Sequence, residues 1–242
     1  MKITVLSSGS KAGNCYCISD GASSLLLDAG IPIAKIQEGV GYRLSEISGV
    51  LITHRHKDHS KALCDLLEFG TDVYALPNVF ESCKIRNHHR RHDLQNGISE
   101  TGEIRYMVRV GSFIVVPFEV KHDVPNLAFY IRSVVTKETL LYFTDTYYLV
   151  PRFRELHYIL AEANYDPDAL NAAISAGYLP EFFKARLVKT HMSIDTLLEL
   201  LQANDLSQIR QIYLLHLSDH NSREGEFKKK VQQITGAEVY VA

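Results

Sequence analysis

The sequence has no tryptophan, three methionines and only four cysteines in 242 residues. The cysteines stand at positions 15, 17, 64 and 83, a spacing that matches neither a paired Cys-x-x-Cys zinc motif nor a dense disulfide framework. We therefore expect buried, reduced thiols in a cytosolic protein. The first ten residues have no long apolar core and no typical cleavage signal, so we expect no secretory peptide.

Long hydrophobic runs and an excess of positive charge are also missing. No apolar run approaches the roughly 18–20 residues that span a bilayer, so we expect no membrane partner. The formal net charge is -2 at pH 7 and the pI is about 6.6. This balance weakens, without excluding, a nucleic-acid polymer as substrate. With 46% hydrophobic and 22% charged residues, the composition is that of a globular protein, and we expect one domain over residues 1–242.

The densest group of potential metal ligands follows Val50–Ile52, an apolar run that predicts a buried strand. His54, His56, Asp58 and His59 come directly after it. Alternation in an extended loop places the first two histidines on one side, whereas the carboxylate and the third imidazole lie where a helix begins. This layout suits two adjacent ions, and its ligand types favour zinc, manganese or iron. The alternative is a solvated polar loop.

Hydrophobic periodicity and turn residues predict the other elements. Hairpin turns are predicted at Asp20-Gly21 and Gly111. Helices are predicted at Ile33–Val40 and Lys61–Phe69, with three more that end at Gly177, Ala203 and Ile234. The predicted strands are Lys2–Leu6, Cys15–Ser19, Ser24–Asp28, Gly49–Thr53, Val73–Leu76, Glu103–Val110, Phe113–Val120, Leu127–Ser133, Thr139–Phe143, Tyr158–Ala163, a short one before His191, Gln211–Leu215 and Ala237–Val241. Strands early and mixed units later predict an α/β fold, an αββα sandwich of two mixed sheets flanked by helices.

Three helix starts have capping signals. Asp166 as N-cap, with Pro167 at the first helical position, starts one helix. Ser193 caps the next helix. Asn221 with Glu224 resembles a capping box for the last helix.

Several segments have both a functional and a structural interpretation. The Gly/Ser-rich loop Ser7–Asn14 can offer backbone N–H groups to a phosphate or be a plain turn. The basic, histidine-rich segment Lys84–His92 is by default a solvated loop; an anion-binding edge or a subunit contact is the alternative. Tyr147 and Tyr148 can stack on a base or be core aromatics. Asp28 can support the metal loop or cap a helix or turn.

The motif His54-x-His56-x-Asp58-His59 is the signature of the metallo-β-lactamase superfamily, which the sequence resembles over nearly its whole length. The resemblance implies a metallo-β-lactamase fold with two divalent transition-metal ions, zinc or alternatively manganese, and an acidic residue at Asp28 that supports the ligands. The implied ligands are His54, His56 and His122 for the first ion, Asp58, His59 and His216 for the second, and Asp145 as a bridge.

Four segments are similar to the phosphodiesterase branch: Ser8-Gly9-Ser10 with Gly13-Asn14, Glu162-x-Asn164, Thr190-His191-Met192-Ser193 and His216-Leu217-Ser218. Within this branch, Asp145-Thr-Tyr-Tyr148 and Glu162-Ala-Asn-Tyr165 resemble the phage and prophage anti-Pycsar phosphodiesterases. Those enzymes hydrolyse 3′,5′-cyclic nucleotides such as cyclic CMP and cyclic UMP and so silence host defence. The compact exonucleases encoded in the Wal operon are the next resemblance, although Arg55 and Lys57 replace acidic or small residues common in their motif.

The resemblance also implies roles for individual side chains. Asp58 and His191 are the predicted catalytic residues, with His191 as general acid or phosphate contact; a capping or core histidine is its alternative. His220 is predicted to be a surface residue. The predicted substrate contacts are Ser8, Ser10, Asn14, Tyr147 and Ser193. We expect a homodimer that hydrolyses small cyclic nucleotides; a single-strand 5′-exonuclease or RNase and a non-catalytic nucleotide binder are the alternatives.

Overall fold

The structure is a computed structural model that describes residues 1–150, 152–218 and 222–242. The chain divides into two compact units. The N-terminal unit comprises Met1–Glu119 and Val124–Glu138, and the C-terminal unit comprises Val120–Asp123 and Thr139–Ala242. A single domain over the whole chain stays a prediction.

The N-terminal unit contains a mixed six-stranded sheet. Its strands are β1 (Lys2–Ser7), β2 (Cys15–Ser19), β3 (Ser24–Leu27), β4 (Ile47–Leu51), β5 (Val73–Ala75) and β6 (Arg91–Asp93), in that spatial order. The β1–β2 and β2–β3 pairs are antiparallel, which confirms the hairpin at Asp20-Gly21. The β3–β4, β4–β5 and β5–β6 pairs are parallel. Buried β3 and β4 therefore end at the same edge of the sheet.

Three more strands and four helices complete this unit. The strands are β7 (Val108–Val110), β8 (Phe113–Val120) and β9 (Asn126–Ser133); the helices are α1 (Ile33–Gly39), α2 (Lys57–Ser60), α3 (Leu63–Glu68) and α4 (Pro77–Ser82), with a 3-10 turn at Leu44–Glu46. The β7–β8 hairpin is confirmed, but the strand predicted at Glu103–Val110 is mostly wrong. Ile104 and Met107 are more than half exposed, so the alternating pattern there buries no face, and an isolated bridge from Ile98 to Ile104 takes its place.

The C-terminal unit contains four parallel strands. They are β10 (Thr139–Phe143), β11 (Tyr158–Glu162), β12 (Gln211–Leu215) and β13 (Glu238–Val241), with β11 and β12 between β10 and β13. Every residue of β10 and β11 is buried, as expected for parallel strands covered on both faces. The helices are α5 (Pro167–Ser175), α6 (Glu181–Thr190), α7 (Ile194–Gln202) and α8 (Glu224–Thr235).

The strand predicted before His191 is wrong, because this segment is the last turn of α6. Leu187 packs with Tyr165 and Leu170 in a buried cluster. A residue on one face of a helix can be buried in such a cluster as well as a residue in a strand. The predicted N-caps Asp166 and Ser193 are confirmed, since each accepts backbone N–H hydrogen bonds in the first turn of its helix. The predictions for His220 and Asn221 lie outside the described residues.

The thiols are less buried than expected. Cys15 is buried, Cys17 and Cys83 are half-buried, and Cys64 is exposed, so the expectation of buried thiols is wrong for Cys64. Among the described helices, none combines the length and apolar character needed to cross a membrane.

Asp20 joins the β2–β3 turn to two other parts of the N-terminal unit. Its Oδ2 accepts hydrogen bonds of 2.6 Å from the hydroxyls of Ser112 and Ser133, and its Oδ1 accepts from the backbone N–H groups of Ala22 and Ser23. Burial alone would raise the pKa of Asp20, but these hydrogen bonds lower it overall.

Replacing Asp20 by alanine should therefore destabilise the fold at neutral pH, by about 2 kcal/mol for hydrogen bonds to a charged group. The carboxylate stabilises the fold above its unfolded pKa of about 3.9, and this contribution is lost as the pH falls through the lowered folded value. Urea unfolding should show the difference between variant and wild type at pH 7, and this difference should disappear as the pH falls through the lowered folded pKa of Asp20. A difference independent of pH would contradict the role of the charge.

Candidate metal centre

The predicted metal loop lies between β4 and α2 in the N-terminal unit. His56 is the N-cap residue of α2, and Asp58 and His59 are in its first turn. Two pairs of potential ligand atoms result. His54 Nε2 lies 3.0 Å from His56 Nδ1, and His59 Nε2 lies 3.4 Å from Asp58 Oδ2. The pairs are those that the sequence assigned to separate ions.

Asp28, at the end of β3, orients two of these histidines. Its Oδ2 accepts a 2.7 Å hydrogen bond from His59 Nδ1. Its Oδ1 accepts from the backbone N–H and the hydroxyl of Thr53, at 2.8 and 2.9 Å. Since that hydroxyl proton is used, Thr53 Oγ1 accepts from His54 Nδ1 at 3.0 Å. Both rings therefore carry their proton on Nδ1 and keep the Nε2 lone pair, which is the form that binds a metal.

Asn14 connects the Gly/Ser-rich loop to the metal loop. It is fully buried; its Nδ2 contacts His59 Nε2 at 3.1 Å and the Asp58 carbonyl oxygen at 3.2 Å. Gly30 permits this packing, because a Cβ there would lie 1.6 Å from the Asp58 carbonyl oxygen. Ser8 accepts a hydrogen bond from the Tyr16 hydroxyl. These contacts make Asn14 a support of the ligands, and its predicted contact with substrate stays a prediction.

The C-terminal unit supplies a second group of ligands around Asp145, which follows β10. Asp145 Oδ2 lies 3.8 Å from His122 Nε2, and Oδ1 lies 3.5 Å from His216 Nε2. These separations are too long for hydrogen bonds but suit ligands of a shared ion with metal–ligand bonds of about 2.0–2.2 Å. Each carboxylate oxygen faces a different histidine, as a bridging ligand requires.

Glu162 is the last residue of β11; the sequence analysis named it as part of a similar segment but assigned it no role in the site. It is completely buried, and its Oε1 accepts from His191 Nδ1 at 2.6 Å and faces His216 Nδ1 at 3.3 Å. Its Oε2 accepts from the backbone N–H groups of Thr146 and Met192, at 3.0 and 3.2 Å. One carboxylate therefore holds the segments that carry Asp145, His191 and His216. The available signal was a charged residue at the end of an apolar strand.

His191 forms a partly buried ion pair with this carboxylate. Burial alone would lower the pKa of His191, but Glu162 and Asp145 raise it overall. Burial likewise opposes ionisation of Glu162, yet His191 lowers the pKa of that carboxyl. The ring stacks on His216, with centroids 5.4 Å apart, and Nδ1 lies 3.9 Å from Asp145 Oδ1. His191 is also the C-cap residue of α6, so the alternative of a capping histidine holds for its backbone. Its role as general acid or phosphate contact stays a prediction.

His122 has the same anchoring as the other histidines. Its Nδ1 donates to the Thr190 carbonyl oxygen at 3.1 Å, and its Nε2 lies 3.1 Å from Asp123 Oδ1 and 3.8 Å from Asp145 Oδ2. Burial lowers the pKa of His122 and so favours the neutral ring, the form that a metal ligand needs.

Asp28, Asp145 and His216 all have left-handed backbones, with φ of 57, 51 and 55°. Asp and His occupy this region more readily than most residues, yet it costs about 1–2 kcal/mol. Such strain at the ends of buried strands is typical of functional sites.

The other residues predicted to contact substrate differ in their exposure and in their hydrogen bonds. Tyr147 and Tyr148 are 39 and 53% exposed, so the alternative of core aromatics is wrong. The hydroxyl of Ser193 accepts from Thr196 N as the cap of α7. Ser10 is exposed. Substrate contact by these residues stays a prediction.

The donor set fits divalent transition metals. Imidazole Nε2 atoms with carboxylate oxygens are typical zinc and manganese ligands, and the hydrogen bonds on Nδ1 supply the orienting outer contacts that such sites have. Within the C-terminal unit, potential ligand atoms of Asp145, Glu162, His191 and His216 all lie within 4.8 Å of one another.

Asp28→Asn should weaken metal binding by about 10–100-fold, the usual cost of losing an outer hydrogen-bond partner. Asparagine tolerates the left-handed backbone, so the fold should persist. Isothermal titration with Zn²⁺ measures the change, and Asp168→Asn, at an exposed carboxylate outside the ligand groups, is the control. Equal affinity in Asp28→Asn and wild type would contradict the support role.

Comparison with known proteins agrees with this geometry. The family model described as "Beta-lactamase superfamily domain" matches residues 24–217. Exodeoxyribonuclease WalJ of Streptococcus pneumoniae is 27% identical over 99% of this chain and 90% of its own length. Exodeoxyribonuclease YycJ of Bacillus anthracis is 26% identical over 97% of this chain and 89% of its own.

A solved structure, the metallo-beta-lactamase fold protein YhfI from Bacillus subtilis, has a TM-score of 0.73 at 18% identity, covering 99% of this chain and 95% of YhfI. The predicted fold class, an α/β sandwich with two mixed sheets flanked by helices, is confirmed by the family match and this likeness. The chain thus belongs to the beta-lactamase superfamily, and it is a metal-dependent hydrolase.

Proposed function

We propose that the protein hydrolyses 3′,5′-cyclic nucleotides such as cyclic CMP and cyclic UMP to nucleoside monophosphates. It would act in the bacterial or infected-host cytosol, against host Pycsar antiphage signalling. The observation that carries the phosphodiesterase chemistry is His191 held by Glu162 at 2.6 Å beside Asp145. The preference for a small substrate rests on the resemblance of the Asp145–Tyr148 and Glu162–Tyr165 segments and on the net charge of -2.

Seven side chains are proposed as the metal ligands. They are His54, His56 and His122 for one ion, Asp58, His59 and His216 for the other, and Asp145 for both. Two bound divalent ions would lower the pKa of water and stabilise negative charge that develops on the phosphate. Three of the imidazole rings are held in place at Nδ1: that of His59 by Asp28, that of His216 by Glu162 and that of His122 by the Thr190 carbonyl oxygen.

The leaving oxygen of the nucleotide needs a proton, and His191 is the proposed donor. Its Nδ1 is bonded to Glu162, so Nε2 is the atom that can give a proton to the leaving group. Its side chain is 19% exposed, which allows contact with substrate and return of the proton from solvent. Tyr147, which is partly exposed, is proposed to stack on the base.

A 5′-exonuclease acting on single strands is the second candidate function. Two full-length relatives carry the name exodeoxyribonuclease, and this observation favours it. The chemistry at phosphorus would be the same, since both substrates are phosphodiesters. The difference is the extent of substrate contact outside the reacting phosphate.

One assay separates these candidates. Purified protein with Mn²⁺ or Zn²⁺ is supplied with cyclic CMP, cyclic UMP, cyclic AMP and a 5′-labelled oligonucleotide, and His56→Ala is the control. We expect nucleoside monophosphates from the cyclic pyrimidine nucleotides and none from the control. Rapid trimming of the oligonucleotide with inert cyclic nucleotides would replace this proposal by the exonuclease. Nucleotide that binds and emerges unchanged would identify a binder.

The homodimer is likewise a proposal. Sedimentation velocity at micromolar protein concentration should give the mass of two 27.3 kDa chains. A monomer at those concentrations would contradict it.

A further inference from the structure

The N-terminal unit carries a basic loop, Lys84–Arg90, between α4 and β6, which no step of the proposed hydrolysis uses. Its sequence is Lys-Ile-Arg-Asn-His-His-Arg. Lys84, Arg86, Asn87 and His89 are exposed. Arg90 is paired with Asp72, whereas Lys84 and Arg86 make no ion pair with any residue that the structure describes. Two cations are therefore available to a ligand.

Arg91, directly after the basic loop, fixes its backbone. The guanidinium Nε and Nη2 donate to the two carboxylate oxygens of Asp93 at 2.6 and 2.9 Å. Nη1 donates to the carbonyl oxygens of Ile85 and Arg86 at 2.7 and 2.9 Å. The Arg91 side chain is only 13% exposed, and it lies over the Phe80 ring. Arg91 therefore fixes the backbone of the loop, while the side chains of Lys84 and Arg86 are exposed to solvent.

Two surface hollows adjoin this loop. One, of about 780 Å³, is lined by Arg86, Asn87, His88, His89, Arg91 and Asp93. The other, of about 730 Å³, is lined by Glu81, Lys84, Arg86 and Arg91. Arg86 and Arg91 line both. Asp93 has both carboxylate oxygens bonded to Arg91. Glu81 is the other lining carboxylate, and the cationic side chains of Lys84, Arg86 and Arg91 outnumber it. His88 and His89 lie ring against ring, with centroids 4.7 Å apart.

The residues around the two hollows do not form a binding site for a metal cation. Among the described residues, the groups of three or more potential metal ligands include none of His88, His89 and Asp93. An anion with several oxygen acceptors fits, because arginine and lysine side chains bind phosphate by charge-assisted hydrogen bonds.

We propose that the two hollows form a phosphate-binding site, built by Lys84 and Arg86 on the Arg91 brace, for the phosphate groups of a nucleotide or of a single-stranded oligonucleotide. The site is additional to the metal centre, and it uses none of the proposed ligands. Two adjoining hollows that share Arg86 and Arg91 suit two successive phosphates as well as a single one.

The test compares the double variant Lys84→Ala/Arg86→Ala with wild type. Calorimetric titration uses two probes, CMP and a short oligothymidylate, with the metal-loaded full-length protein. A double variant of one exposed lysine and one exposed arginine elsewhere in this unit, Lys35→Ala/Arg105→Ala, is the matched control. Phosphate binding at the metal centre is common to all three proteins, so the difference reports the basic loop alone.

We expect the affinity for at least one probe to fall about tenfold or more in the loop variant, as for lost charged hydrogen bonds, and to stay unchanged in the control. Loss confined to oligothymidylate identifies a strand as the ligand, and the slope of log affinity against log salt should then decrease by about 0.7 for each cation removed. Loss with CMP identifies a nucleotide. Unchanged affinities, with or without an altered oligomeric state, would overturn the proposal. Because the readout is binding, the test is valid even if cyclic nucleotides are not hydrolysed.

Discussion

Asp145→Asn is expected to abolish hydrolysis while the fold persists. The carboxylate is nearly completely buried, and its two oxygens face His216 and His122 at 3.5 and 3.8 Å. Asparagine keeps the size of the side chain and tolerates the φ of 51°. It replaces two anionic oxygens by one neutral oxygen, so two ions would lose a shared ligand and part of their neutralising charge. Turnover of cyclic CMP should fall to the rate of protein stripped by chelator.

Elemental analysis of dialysed protein supplies the second readout for Asp145→Asn. We expect fewer bound transition-metal ions per chain than in wild type. Asp168→Asn, an exposed carboxylate in the first turn of α5, is the matched control and should retain both metal and activity. Full activity in Asp145→Asn would remove this residue from the centre.

His191→Ala should lower kcat by about 10²–10⁴-fold, the usual contribution of a general acid, without loss of metal. His191 Nδ1 is bonded to Glu162, and the ring is not among the proposed ligands. The loss should be much smaller for a p-nitrophenyl phosphodiester, because p-nitrophenolate leaves without protonation. The ratio of the two losses therefore separates proton donation from a general disturbance of the site.

Glu162→Gln extends this test to the residue that positions His191. The amide keeps the shape of the side chain but presents one acceptor oxygen where the structure uses two. We expect a lower kcat on cyclic CMP and again a smaller loss with the p-nitrophenyl ester. Equal losses on both substrates, in either variant, would contradict the proton-donor role.

Local signals in the sequence predicted the parts of the candidate site that are close along the chain. His54, His56, Asp58 and His59 form a recognisable motif because one loop and one helical turn carry all four. The second ligand group has no such local pattern, and the resemblance to a superfamily was needed to name His122, Asp145 and His216. In the structure, Asp145 and His216 have a left-handed backbone just after buried strands. This conformation is a feature of functional sites that the sequence alone does not show.

Interactions that are distant along the chain were beyond the sequence. Glu162 accepts hydrogen bonds from residues that are 16, 29 and 30 positions away along the chain. The sequence around Glu162 contains no pattern that predicts these partners. Asn14 contacts a histidine 45 positions away, so its role as a support could not be separated from contact with a phosphate. The last turn of α6 was predicted to be a strand because the apolar pair Leu187-Val188 is compatible with either conformation.

The most direct measurement is a metal titration followed by hydrolysis. Chelator-stripped protein is titrated with Zn²⁺ or Mn²⁺, and turnover of cyclic CMP is recorded at each addition. Activity should rise from zero and level off at two ions per chain in the wild type. Hydrolysis that persists in the stripped protein, or a protein that retains no transition metal at all, would contradict the paired-ion phosphodiesterase described here.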